Sequence, residues 1–134
     1  MGHRWLLDTS ALLALRDNEA GALRVAEVLR LAATGQGICL ICFMTRMEVL
    51  YRVWKDEGEA KARLADEQLL SLPMQWVEAS GPLLETAAEI NALNALSVAD
   101  AWIAAAALEN DASLVHQDPE FRALINLEQE WLGS

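Results

Sequence analysis

The segment Trp5-Leu6-Leu7-Asp8-Thr9-Ser10-Ala11-Leu12-Leu13-Ala14-Leu15 changes character in its middle. Trp5 to Leu7 is a short continuous apolar run, the pattern of a strand buried on both faces of a parallel sheet. Ala11 to Leu15 contains only Ala and Leu, which favour helix. Asp8, Thr9 and Ser10 stand at the join, and all three are good helix N-cap residues. The segment therefore reads as a strand, a tight turn and a helix, with one carboxylate at the strand's C-terminal end. In open α/β sheets that edge is where ligands bind. Taken alone, Asp8 is explained as a helix cap. Whether the edge is a site depends on whether further carboxylates arrive there.

The rest of the chain repeats the alternation. The first helix is expected over Thr9–Arg16 and a second over Gly21–Ala33, with Leu23, Ala26, Leu29 and Ala33 on one face. Ile38–Ile41 reads as a second buried strand. Thr45 opens a third helix through Lys55, and Glu57-Gly58 breaks it. A fourth helix spans Glu59–Ser71, amphipathic through Ala62, Leu64, Leu69 and Leu70, and Pro73 closes it. Met74–Val77 is a third strand. Helices follow over Gly81–Leu93 and Ser97–Glu109, then a strand over Ala112–Val115 and a short helix from Asp118-Pro119. Asn126–Trp131 reads as a short edge strand or an irregular tail. Strands alternating with helices predict an α/β fold, a central parallel sheet with helices on both faces. Without repeat or linker, the chain is expected to form a single domain over 1–134.

Composition narrows the chemistry. The net charge of −10 argues against a nucleic-acid binder with a basic face, and it suits a site that concentrates carboxylates around a cation. The N-terminus lacks the long apolar stretch of a secretory signal. The longest uncharged apolar run, Ala101–Leu108, is too short for a membrane span, so a cytoplasmic protein is expected. Cys39 and Cys42 form a Cys-x-x-Cys pair inside an apolar run. With no second pair, and with His3 and His116 isolated in sequence, they read as free core cysteines of a reducing compartment.

Most of the 20 acids have polar neighbours, as a solvated face requires. Three do not. Asp8 follows Trp-Leu-Leu. Glu48 lies in Ile38–Leu50, where the other clearly polar residues are Thr45 and Arg46. Asp100 lies in Leu96–Leu108, where the other polar residue is Ser97. A fourth acid, Asp118, follows the strand Ala112–Val115. An ionised carboxylate in apolar surroundings is costly unless it is paired or bound to metal. Each also has a local explanation. Thr45-x-x-Glu48 and Ser97-x-x-Asp100 resemble capping boxes, and Asp118-Pro119 is an N-cap followed by Pro at N1. Those explanations set all four acids at helix N-termini, three of them after strands. The C-terminal ends of parallel strands share one edge, so the four carboxylates can converge there. They would repel unless a cation sat among them, and oxygen-only ligands favour Mg²⁺ or Mn²⁺ over zinc.

Leu-Leu-Asp8-Thr-Ser-Ala-Leu, Met-Thr-Arg-Met-Glu48-Val-Leu-Tyr, Ser-Val-Ala-Asp100-Ala-Trp-Ile-Ala-Ala and Leu-Val-His-Gln-Asp118-Pro-Glu-Phe, in this order, resemble the PIN-domain family. The set looks most like the family's VapC-type toxins, and the resemblance covers nearly the whole chain. It implies a PIN-like three-layer α/β/α sandwich. It implies one or two Mg²⁺ or Mn²⁺ held by Asp8, Glu48, Asp100 and Asp118, and metal-dependent endoribonuclease activity on RNA. It also implies a homodimer inhibited by a small VapB-type antitoxin. There are departures. His116 stands where many members have Thr or Ser, Arg46 where relatives are often apolar, and Ala104 where some carry a fifth acid.

On this reading the metal lowers the pKa of a bound water and offsets charge on the leaving oxygen. Thr9 or Ser10 would contact a ligand water or position Asp8, or else simply cap the helix. Arg16, Arg46, Arg52 and Lys55 are the basic residues nearest the motifs and the candidates for RNA phosphates. The helices over Gly21–Ala33 and Thr45–Lys55, with Tyr51 and Trp54, carry more apolar surface than one small sheet buries. A groove for an antitoxin segment is expected there. The rival class is a catalytically degenerate PIN-like interaction protein, acting through an antitoxin or a dimer interface; the intact quartet counts against it. A haloacid-dehalogenase-like phosphatase wants a second Asp where Ser10 stands. A receiver domain wants a Lys that Val115–Phe121 lacks.

Overall fold

The computed structural model describes residues 2–133; Met1 and Ser134, the ends of the expected 1–134 domain, lie outside the described residues. Among the described residues five strands alternate with six helices. The strands are β1 (His3–Leu7), β2 (Gly37–Cys42), β3 (Gln75–Val77), β4 (Ser113–His116) and β5 (Gln129–Trp131). The helices are α1 (Thr9–Arg16), α2 (Ala22–Ala33), α3 (Phe43–Glu57), α4 (Glu59–Leu70), α5 (Gly81–Leu93) and α6 (Val98–Glu109), and a 3-10 turn follows β4 at Pro119–Ala123. All strand pairs are parallel, in the order β3-β2-β1-β4-β5. The chain builds outward from β1 through β2 to β3, then crosses back to lay β4 and β5 on the other side. Leu7 is therefore in register with Ile41 on one side and Val115 on the other. That reversal opens a crevice at the carboxyl ends of β1 and β4, the switch point where α/β sheets bind ligands.

Strand alternation divides the core into two layers. Leu6, Leu40, Cys42 and Leu114 pack beneath α5 and α6. Trp5, Leu7, Cys39, Ile41 and Val115 face α1 to α4. The three-layer α/β/α sandwich is thus the one expected. On α6, Ala101 and Ile103 to Ala107 are all buried, so its small side chains let the helix lie close to the sheet. Cys39 and Cys42 are free and point to opposite faces of β2. Burial pushes their thiols up to about 12 and about 11. The segment read as edge strand or tail contains β5, paired with β4. No helix among the described residues is long and apolar enough to cross a membrane.

Two local readings are corrected. First, α3 begins at Phe43 behind Cys42, not at Thr45, because β2 runs straight into the helix. Thr45 is then inside the first turn with its side chain buried, and Thr45-x-x-Glu48 is not a capping box. Second, α2 buries Ala22, Val25, Val28 and Leu29 and leaves Leu23 exposed, while α4 buries Ala62, Ala65, Asp66 and Leu69 and exposes Leu64 and Leu70. Neighbouring rows on a helix differ by about 100°. In α2 the row carrying the two valines meets Trp5 and Leu7. On the side expected to carry a groove, Leu23 of α2 and Met47, Tyr51 and Trp54 of α3 are exposed, and an apolar cleft lies between α1, α3 and α4. Leu12, Leu13, Leu15, Val49, Leu69 and Leu72 line a space of about 170 Å³ there.

Close approach at the start of β2 gives a test. A Cβ on Gly37 would overlap the Trp5 ring and lie 2.9 Å from the His3 carbonyl oxygen, whereas one on Gly81, at the start of α5, meets nothing within 4 Å. Gly37→Ala is expected to destabilise by about 1–3 kcal/mol, the usual cost of overpacking. Gly81→Ala is expected to be neutral or slightly stabilising. Urea unfolding of the two variants checks this, and equal midpoints would contradict the β1–β2 packing.

Candidate functional site

Asp8 leaves β1 in extended conformation and caps α1, its Oδ1 accepting from the Ala11 N–H at 2.8 Å. The Ser10 hydroxyl lies 2.7 and 2.8 Å from the two Asp8 oxygens and accepts from the Gln117 N–H at 2.9 Å. Ser10 thus ties the Asp8 carboxylate to the loop after β4. Thr9 turns the other way. Its hydroxyl donates to Glu48 Oε1 at 2.6 Å and stands 3.3 Å from the Thr45 hydroxyl. Of the two hydroxyls proposed from sequence, Ser10 holds Asp8 and Thr9 holds Glu48.

Glu48 sits in the second turn of α3, not at a helix N-terminus as expected, and is buried. Arg52, one turn further on, brings Nη2 to 3.3 Å from its Oε2. Asp100 is the third residue of α6, where the Ser97 hydroxyl accepts from its backbone N–H at 3.1 Å. In a full capping box the acid would reach back to the Ser97 N–H. Here that N–H donates instead to Glu120 Oε1 at 3.1 Å. The Asp100 carboxyl is left to meet Asp118, which caps the 3-10 turn through the Glu120 N–H at 3.0 Å. Asp100, Asp118 and Glu120 each offer an oxygen, all within 4.8 Å of one another.

Glu120 was absent from the sequence-based quartet. Its signal was the Asp118-Pro119-Glu120 spacing, which reads as an ordinary first helical turn rich in acid. Asp8 and Glu48 lie outside the 4.8 Å group, yet their charges bear on it. Burial, reinforced by the charges of Asp118 and Glu48, pushes Asp8 up to about 7 against the lowering effect of the Ala11 N–H and Ser10. Burial, then the hydrogen bond and charge of Asp118, then Glu120 and Glu48, push Asp100 up to about 8. The donor set is carboxylate oxygen throughout, with too little positive charge around it. Such a set fits a hard divalent cation.

The four basic candidates have different settings. Arg16 pairs with Glu57 at 2.8 Å and Asp17 at 3.0 Å. Arg46 grips Asp66 through two contacts of 2.8 and 3.0 Å. Lys55 is exposed in the last turn of α3. Arg52 alone of the four meets an acid of the quartet, and it also feels the charge of Asp100.

The PIN domain family matches residues 5–126. The structure is similar to VapBC2 from Rickettsia felis bound to a promoter DNA fragment, with a TM-score of 0.79 at 20% identity over 97% of this chain and 99% of that one. It is similar to DNA-bound VapBC from Salmonella typhimurium, with a TM-score of 0.77 at 18% identity over 99% and 100% of the two chains. It is also similar to VapC20 from Mycobacterium tuberculosis, described as a sarcin-ricin loop cleaving toxin, with a TM-score of 0.64 at 22% identity over 88% and 92%. At these identities the likeness speaks for the fold. No curated protein sequence matches the chain.

The raised carboxyls predict a pH dependence. In the unfolded chain both aspartates ionise near 3.8, whereas folded Asp8 holds its proton to about 7 and Asp100 to about 8. The folded form binds more protons in that window, so stability falls as pH rises through it. In chelating buffer the wild type is expected to have a lower urea midpoint at about pH 8 than at about pH 5. Asp8→Asn should show a smaller fall, since Asn caps about as well as Asp. Parallel profiles for the two proteins would contradict the buried, repelled state of Asp8.

Proposed function

The chain belongs to the PIN domain family, and on that premise we propose that it is a metal-dependent endoribonuclease, the toxin of a VapBC-type toxin–antitoxin pair. The observation that carries the reading is the gathering of buried carboxylates at the β1/β4 switch point, with Asp8 and Asp100 raised to about 7 and about 8. Asp8, Glu48, Asp100 and Asp118 would hold Mg²⁺ or Mn²⁺. A cation bound there supplies a more acidic water and charge to offset the leaving oxygen of a phosphodiester. The chain's own residues orient the donors. Ser10 and the Ala11 N–H fix Asp8, Thr9 fixes Glu48, and Ser97 fixes the backbone at Asp100. Arg52 stands beside the carboxylates and is the cation best set to meet an RNA phosphate.

RNA as substrate class is supported by the similarity to VapC20 from Mycobacterium tuberculosis, a sarcin-ricin loop cleaving toxin. An antitoxin partner is supported by the VapBC assemblies of Rickettsia and Salmonella. The α1/α3/α4 cleft, lined by leucines with Arg16 at its edge, would receive an apolar antitoxin segment. A second copy of the chain would cover Leu84, Leu93 and Val98, exposed on α5 and α6. An RNA substrate and two free, buried cysteines suit a cytoplasmic setting.

Two experiments test the reading. Purified protein is expected to cleave RNA with Mg²⁺ or Mn²⁺ and to stop in chelator. Asp100→Asn should lose at least about a hundredfold, since groups acting as a unit fail together, while exposed Glu67→Gln should change little. Cleavage that survives exhaustive chelation removes the metal mechanism. For the partner, hydrogen exchange on adding the cognate antitoxin should slow amides of α1 and α4. Protection confined to α5 and α6 would reject the cleft as its seat.

A further inference from the structure

The first residue to leave the apolar part of β4 is His116, and it is 1% exposed. A polar ring so buried needs partners for both nitrogens. Nδ1 lies 3.1 Å from the Asp118 backbone nitrogen. A backbone N–H only donates, so Nδ1 accepts and the proton of the neutral ring is on Nε2. Nε2 lies 2.9 Å from Gln129 Oε1. Gln129 leads independently to the same assignment. Its Nε2 lies 2.8 Å from the Phe121 carbonyl and 2.9 Å from the Leu124 carbonyl, so the amide nitrogen must face those oxygens and Oε1 must face the ring. The ring is wedged edge-on between Phe121 at 5.0 Å and Trp131 at 5.6 Å.

These bonds hold the 3-10 turn at three points: the Asp118 N–H, the Phe121 carbonyl and the Leu124 carbonyl. The carboxylates of Asp118 and Glu120 project from the first part of that span. We propose that His116 and Gln129 are positioning residues, a clamp that sets where Asp118 and Glu120 stand for metal binding; this rests on the metal reading above. The backbone bonds that close the ends of the turn, Phe121 N–H to the Asp118 carbonyl at 3.3 Å and Leu124 N–H to the Phe121 carbonyl at 3.0 Å, lie within the segment itself and do not fix it to the sheet. The clamp does so from β5, itself paired to β4 and tied back by the Leu132 N–H to the His116 carbonyl at 2.8 Å. An apolar residue at 116 would fill the volume but orphan the Asp118 N–H and Gln129 Oε1. Partners behind metal ligands are worth about ten- to a hundredfold in metal affinity.

The test is Mn²⁺ affinity by calorimetry, read beside thermal unfolding of the same proteins. His116→Gln keeps a donor toward Gln129 but has no acceptor near the Asp118 N–H. Gln129→Leu removes the far end of the clamp without touching the acids. Both are expected to weaken Mn²⁺ binding about tenfold to a hundredfold. His116→Asn restores an acceptor at the Asp118 N–H through an Asx turn, and it should regain most of the affinity lost in His116→Gln. Val28→Ala, in the core layer on the other face of the sheet, should melt earlier with unchanged affinity, separating lost stability from lost positioning. Wild-type affinity in both His116→Gln and Gln129→Leu overturns the clamp and leaves the metal reading standing. Failure of the wild type to bind Mn²⁺ overturns both.

Discussion

Repulsion among carboxylates held at one edge of the sheet sets the terms for the rest of the structure. Two like charges about 4 Å apart repel by roughly 4 kcal/mol at an effective dielectric near 20. Free side chains would swing apart into water. These do not, because each is held locally: Asp8 by its cap and Ser10, Glu48 by Thr9 and Arg52, Asp118 by the Glu120 N–H. The protein therefore carries unfavourable energy at this edge, eased in part by the protons that Asp8 and Asp100 hold above the usual carboxylate range, and a divalent cation bound there would ease it further. Stability given up for function in this way is common at sites that must receive a charged ligand.

Such strain needs a stiff frame. β1 and β4 are paired at the centre of the sheet with both faces covered, and Leu6, Leu7, Leu114 and Val115 are wholly buried. Ala-rich α6 lies close against that sheet, so Asp100 is carried by a helix with little room to shift. The strand ends and helix starts that hold the acids belong to the best-packed part of the molecule. The large exposed apolar residues, by contrast, lie on the covering helices, the loop after the 3-10 turn and the edge strand β5, and not on this central pair. Rigidity is concentrated where the like charges meet.

Much of this could be read from the chain, and the limits are instructive. The alternation of elements, the parallel sheet and the ends of α1 and α5 follow from local pattern. Asp8, Glu48 and Asp100 stood out because each is an acid in apolar company. Glu120 did not stand out, because Asp118-Pro119-Glu120 reads as an ordinary helix start. Its part depends on the Ser97 N–H, 23 positions earlier in the chain. Pairing of Arg46 with Asp66 and of Arg16 with Glu57 likewise joins residues 20 and 41 positions apart. The buried row of α2 was misread because two neighbouring rows are both apolar, and packing against Trp5 decides between them. Local chemistry shows in a sequence; a choice settled by a distant neighbour does not.

The acids also differ in what holds them. Asp8 caps α1 through the Ala11 N–H and Asp118 caps the 3-10 turn through the Glu120 N–H, while Asp100 lies in the first turn of α6 with its carboxyl toward Asp118. Glu48 has no such end, since α3 begins five residues earlier at Phe43. It depends on side chains instead: the Thr9 hydroxyl at 2.6 Å and Arg52 at 3.3 Å. Those two partners come from different elements, α1 and α3. Thr9 follows Asp8 directly, so the turn that caps α1 with one acid also anchors a second. The switch from strand to helix at residues 8 to 10 thereby does three jobs: it presents Asp8, ties it to the β4 loop through Ser10, and fixes Glu48 through Thr9. A single tight turn organises half of the quartet, and the loop after β4 with the start of α6 organises the other half.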